Sequence, residues 1–260
     1  MYMEQMQIVF QLKSLSFVNS FRGDGVIRQA QGTGISGIEV FRIIVGVLTE
    51  LSLSDQFLYE GRWIDSRQVE ERIKSTGWTH TLKTENIAFQ LGGAGVLEQS
   101  FIIIKELTAN AAKSWDAWIL PFFKIREFTQ AWISNVEYDR WQNAKDPLEY
   151  ESAGRSYSQL KMISNNLPPP LEQKVIDTST NPGRWELRPG YVEAIGSTMW
   201  LGDAFWKRVG DGRKNHAMAS DDLNIDLLEN GIVRLQAATG CFASEVTKEI
   251  QNKLRAILYE

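Results

Sequence analysis

The 260-residue chain holds one cysteine, Cys241, and two histidines, His80 and His216. A lone thiol cannot close an intrachain disulfide, and this cysteine usage fits a reducing cytoplasm. Zinc needs three or four ligands, and a nucleophilic triad needs a histidine with partners. Neither histidine has such a partner at ligand or triad spacing, so both read as loop residues. Basic charge is also scarce. Twenty-eight Lys and Arg stand against 32 Asp and Glu, a net charge of -4 with no dense basic cluster. That argues against direct nucleic-acid binding, which draws on a basic stripe to displace counterions. The longest apolar clusters, around residues 43–48 and 101–104, are too short to span a bilayer. Residues 1–11 show no basic run followed by an apolar core, so no secretory signal is expected.

Glycine-rich segments are present but lack phosphate-loop form. Gly92-Gly93-Ala94-Gly95 follows a strand pattern, has no Lys-Ser/Thr ending, and precedes another strand pattern rather than a helix. Gly23-Asp24-Gly25 and Gly32-Thr33-Gly34 do not have dinucleotide spacing. The paired carboxylates Glu70/Glu71, Asp221/Asp222 and Glu149/Glu151 are adjacent or nearly so, and read as solvated faces rather than groups converging across a cleft. Cys241, between Gly240 and Phe242, reads as a buried, inert thiol.

What is abundant is apolar and aromatic mass: 43% hydrophobic residues, nine Trp and twelve Phe, enough for a sizeable core. Alternation of Ile8, Phe10 and Leu12 with Gln11 and Lys13 predicts a half-buried strand. Residues 21–37, with five glycines, read as a loop. Ser36 followed by Glu39 predicts a capped helix running to about Leu51, apolar on two sides. A shorter helix is expected from Asp65 or Ser66 to Ser75, with Val69 and Ile73 inward and Gly77 as its stop. Residues 86–91 and 97–107 predict paired strands, the second carrying the β-branched run Ile102-Ile103-Ile104. Residues 121–134 predict a helix opened by Pro121, with Ile125, Phe128 and Trp132 on one face.

Residues 135–186 are irregular and end in Pro168-Pro169-Pro170, which no helix or central strand continues through. Beyond them the expected order is strand, helix, strand, strand, helix. Asn230-Gly231 forms a hairpin there, and Ser244 caps a last helix bearing Val246, Ile250, Leu254 and Ile257. The expected class is α+β, mainly antiparallel sheets packed with helices. The chain divides into lobes 1–165 and 166–260 near Pro168–Pro170, or forms one compact domain.

Several blocks resemble bacterial immunity protein family 52: residues 48–55 (LTELSLSD) with 59–63 (YEGRW), 86–93 (NIAFQLGG), 188–191 (RPGY) through 199–201 and 205–206, and 230–237 (NGIVRLQA) with 252–255 (NKLR). The resemblance implies a protein that protects its producer by binding a cognate toxin effector with a restriction-endonuclease-like nuclease domain, delivered by a type VI secretion system. It implies no turnover and no cofactor, and supplies no catalytic motif; no membrane partner is expected, given the short apolar runs. Tight inhibition calls for aromatic anchors ringed by complementary charge. The candidate anchors are Trp141, Tyr150 and Tyr157, with Asp139, Asp146, Glu149 and Glu151 as an acidic rim. Asp211, Asp221 and Asp222 form a second candidate patch. The aromatics could equally cover the join between lobes. Two other classes stand as alternatives: an effector chaperone or adaptor of a secretion apparatus, and a small-molecule enzyme without a recognisable motif, against which the scarce histidine counts.

Overall fold

A computed structural model describes residues 2–22, 25–78 and 80–260. In chain order its elements are β1 (Glu4–Gln11), β2 (Lys13–Arg22), β3 (Gly25–Thr33), α1 (Gly37–Glu50), β4 (Phe57–Tyr59), β5 (Arg62–Ile64), α2 (Ser66–Thr76), β6 (Leu82–Lys83), β7 (Ile87–Ala94), β8 (Gln99–Glu106) and α3 (Trp115–Ile119). There follow β9 (Phe128–Asn135), α4 (Val136–Asn143), α5 (Pro147–Ser152), β10 (Met162–Ser164), β11 (Lys174–Ile176), β12 (Glu186–Arg188), β13 (Tyr191–Glu193), β14 (Thr198–Leu201), α6 (Asp203–Val209), α7 (Asp211–Met218), β15 (Asn224–Leu227), β16 (Val233–Gln236) and α8 (Lys248–Leu258). Ten strands make one antiparallel sheet in the order β15-β16-β14-β9-β1-β8-β7-β6-β4-β5, and three two-stranded sheets complete an α+β fold.

Strand alternation sends successive side chains to opposite faces, and each face has its own core. Met6, Ile8 and Phe10 of β1, Ala131 and Ile133 of β9, and Trp200 of β14 join the cluster built with α1, α2 and α3. Their sequence neighbours Val9, Trp132, Met199 and Leu201 join the cluster built with α6, α7 and α8. A bulge between Val9 and Phe10 shifts the register against β9, so Val9 faces Gln130 while Phe10 faces Phe128. The extra residue reverses the parity of β9 and returns Phe128 to the first core. Strands from both sides of the Pro168–Pro170 run hydrogen-bond into this sheet, β14 pairing with β9.

Many local expectations hold. Ser36 Oγ accepts from the Glu39 amide and caps α1. Asp65 and Gln68 form a reciprocal capping box on α2, which buries Val69 and Ile73 and stops at Gly77. Ile225 and Leu235 pair across the hairpin whose turn places Asn230 and Gly231 at positive φ. Cys241 is buried, and burial pushes its thiol far above the usual range.

Others are corrected. Residues 128–134, expected as helix, belong to β9, in which every residue is buried. The three-to-four spacing of Ile125, Phe128 and Trp132 mimics a helical stripe, and the buried polar residues Thr129, Gln130 and Ser134 break the continuous apolar run expected of a strand covered on both faces. Pro121 instead opens a 3-10 turn, Leu120–Lys124. The expected loop at 21–37 is largely strand: β3 pairs with β2 across Gly23 and Asp24, which lie outside the described residues. Gly92 and Gly93 sit inside β7, and the Phe101 ring of β8 occupies the space a Cβ at Gly92 would need. The last helix begins at Lys248, with Thr247 rather than Ser244 as its cap, and Val246 is exposed.

Gln130, fully buried in β9, replaces a strand partner. Its Nε2 donates to Val192 O at 2.8 Å and its Oε1 accepts from Val192 N at 3.1 Å, tying β13 to the sheet. Gln130→Ala leaves the Val192 amide unpaired in a dry site. A loss of about 2 kcal/mol is expected, measurable by urea denaturation; no loss would mean that water takes over the amide.

Candidate interaction groove

The irregular segment 135–186 is anchored more firmly than its composition suggests. β9 passes straight into α4, because Asn135 ends the strand and its side chain accepts from the Tyr138 amide at 2.9 Å. α4 is then tied to the chain at 181–185. Gln142 Oε1 accepts from Gly183 N at 2.9 Å, Asn143 Oδ1 accepts from Trp185 N at 2.7 Å, and Asn181 Nδ2 donates to Gln142 O at 2.8 Å. These bonds fix α4, which carries Asp139, Arg140 and Trp141.

Trp141 is half-buried. Its ring meets Tyr150 with centroids 4.8 Å apart, and Tyr150 meets Tyr157 at 6.2 Å. Two guanidiniums lie against the indole, Arg140 at 4.8 Å and Arg155 at 4.3 Å from its centroid. Such contacts pin the ring in one orientation. Ala144, Tyr150 and Ile176 form a small core beneath. Beside this stack opens a groove of about 670 Å³ lined by Met3, Gln5, Lys105, Val136, Asp139, Trp141 and Arg155, among others.

The structure brings the three expected aromatics together but assigns most of the expected acids to internal roles. Tyr150 is buried, a packing residue beneath the surface. Asp146 caps α5 by accepting from Leu148 N at 2.9 Å. Glu149 pairs with Arg140 at 3.6 Å, and Glu151 accepts from Tyr157 Oη at 2.7 Å. That carboxylate pushes the Tyr157 hydroxyl above its ordinary range. Asp221 is exposed in the turn after α7, and Asp222 pairs with Lys253 of α8 at 3.5 Å. Asp211 is the first residue of α7, and its side chain lies outside the described part. These acids belong to the α6–α8 layer, not to α4.

Asp139 stands apart. It lies in the groove floor and accepts from Gln5 Nε2 at 3.2 Å, while the same amide also reaches Ser134 Oγ at 3.3 Å. Burial pushes its carboxyl up to about 7, opposed only by the Gln5 bond. A carboxylate with a folded pKa above its unfolded value of about 4 holds its proton more tightly when folded. It therefore favours folding at low pH, and that contribution is lost as pH climbs from about 4 to about 7. Asp139→Asn keeps the acceptor for Gln5 and removes the charge. The groove leaves one side of the carboxylate open to solvent, which reduces the effect to roughly half the full linkage value, about 2 kcal/mol of added stability at pH 8. Near pH 4 the variant and wild type are expected to melt alike. Equal melting temperatures at pH 8 would refute the buried charge.

The groove residues that sequence reading missed are Arg140, Arg155, Gln5 and Lys105. Arg140 adjoins Trp141 in the sequence, a visible signal. Gln5 and Lys105 arrive from β1 and β8, where they are cross-strand partners. Among the described residues no cluster of three or more His, Cys, Asp or Glu is arranged to hold a metal, and no helix is long and apolar enough to cross a membrane.

Fold and groove together define an antiparallel α+β protein with an aromatic-lined surface cleft. No protein-family model and no curated protein matches the chain. Among solved structures, the Pseudomonas aeruginosa T6SS protein PA0821 aligns with a TM-score of 0.48 and 10% identity, over 99% of this chain and 74% of that one.

Proposed function

We propose that this chain is an immunity protein that binds and neutralises a cognate secreted antibacterial nuclease toxin inside the producing cell. The sequence blocks resembling immunity family 52 suggest the class, and the same resemblance suggests delivery of the toxin by a type VI system. The observation that carries the reading is Trp141, with two arginines against its ring, in the lining of the groove. Tight complexes depend on aromatic and arginine anchors whose geometry is set before binding. Action by stoichiometric binding calls for neither turnover nor a cofactor.

Co-expression with the product of the neighbouring gene, which the reading expects to be a nuclease, in a sensitive host tests it. Survival together with a stable stoichiometric complex is the expected result. A complex without survival would point to an effector chaperone or adaptor instead. Neither complex nor survival would overturn the reading for that pair.

A further inference from the structure

Asp139, in the groove floor, has no ion-pair partner among the described residues. Arg140 is paired with Glu149 and Arg155 with Glu137, and both guanidiniums lie against Trp141. Lys105, opposite Gln5 in the neighbouring strand, lines the wall, but among the described residues no lysine or arginine forms an ion pair with Asp139. The other groups turned to this floor are Gln5 and Ser134, both neutral. With the two arginines matched by Glu137 and Glu149, the charges left over are Lys105 at the wall and Asp139 at the floor. A half-buried carboxylate in that state is unfavourable as the anion unless a cation reaches it. Met3, Val136 and Ala153 add apolar lining to the same groove. An ionic floor with apolar lining suits a side chain with a methylene stem and a charged head.

We propose that the groove seats one basic side chain, arginine or lysine, projected by the bound toxin, with its head group on Asp139 and its stem along Met3, Val136 and Ala153. The proposal rests on the immunity reading, since the toxin supplies the side chain. Arrival of the cation displaces the proton held by Asp139, which passes to the buffer.

Calorimetric titration of the full chain with the product of the neighbouring gene tests this, at pH 6 and pH 8 and in buffers of different ionisation enthalpy. The wild type is expected to bind about tenfold more tightly at pH 8 than at pH 6, and to release a proton on binding near pH 7. Asp139→Asn is expected to weaken the complex at pH 8 by about thirtyfold and to abolish the proton release. Should that variant fold poorly, proton release by the wild type decides alone. Tight binding with no proton release, or an affinity indifferent to Asp139→Asn, would overturn the groove proposal and leave the immunity reading standing. Absence of binding by the wild type would overturn both.

Discussion

Trp132→Ala is expected to lower stability by about 3–5 kcal/mol, the range for deleting a large buried aromatic. Trp132 is fully buried in β9, opposite Met199 of β14 in the second core. Its surroundings cannot close over the void. Gly196 approaches so closely that a Cβ there would stand 2.8 Å from both Trp132 Cβ and Ile133 O. That side of the cavity is backbone already in close contact with β9, with little room to relax inward. With domain stabilities of about 5–15 kcal/mol, the variant should sit near its unfolding threshold at 37 °C. Urea denaturation checks this: a shifted midpoint with unchanged slope is expected. A loss below about 1 kcal/mol would show that the sheet rearranges around the missing ring.

Trp141→Ala is expected to have the opposite profile. Truncating a central aromatic anchor weakens a complex by about 2–4 kcal/mol, a factor of roughly thirty to a thousand in affinity. The fold should change little, because Trp141 is only half-buried and the core beneath it, Ala144, Tyr150 and Ile176, remains. Melting temperature and toxin affinity, measured on one preparation, separate these effects. Unchanged affinity would remove the groove from the interface and turn attention to Asp221 and Asp222. Loss of both folding and affinity would make Trp141 a packing residue.

The boundary between what sequence shows and what it hides follows the range of the interactions. α1 and α2 could be read because their caps lie within three residues of what they bond: Ser36 with Glu39, Asp65 with Gln68. The turn at Asn230-Gly231 could be read because positive φ is a local demand. β9 could not. Its burial comes from β1 and β14 on either side and a core on each face, so a helix-like spacing of Ile125, Phe128 and Trp132 pointed the wrong way. β3 was hidden by glycines at its margins. The candidate site divides in the same manner. Trp141, Tyr150 and Tyr157 are neighbours in sequence and were found together. The acids beside them were read as a rim, because caps and ion pairs such as Asp146 with Leu148 N appear only once α5 exists. Gln5, which sets the environment of Asp139, comes from the far side of a long-range pairing.

The central place of β1 also bears on how the chain is made. Gln5 pairs with Lys105 on one side and with Ser134 on the other. On the ribosome, this first strand of the sheet emerges long before either neighbour, while Met6, Ile8 and Phe10 await the cover that β7, β8 and α1 later share. Pairings of such sequence separation are slow to form. A nascent chain halted before β9 therefore displays an unfinished strand edge and a bare apolar row, the features that holding chaperones take up and that aggregate when none is at hand.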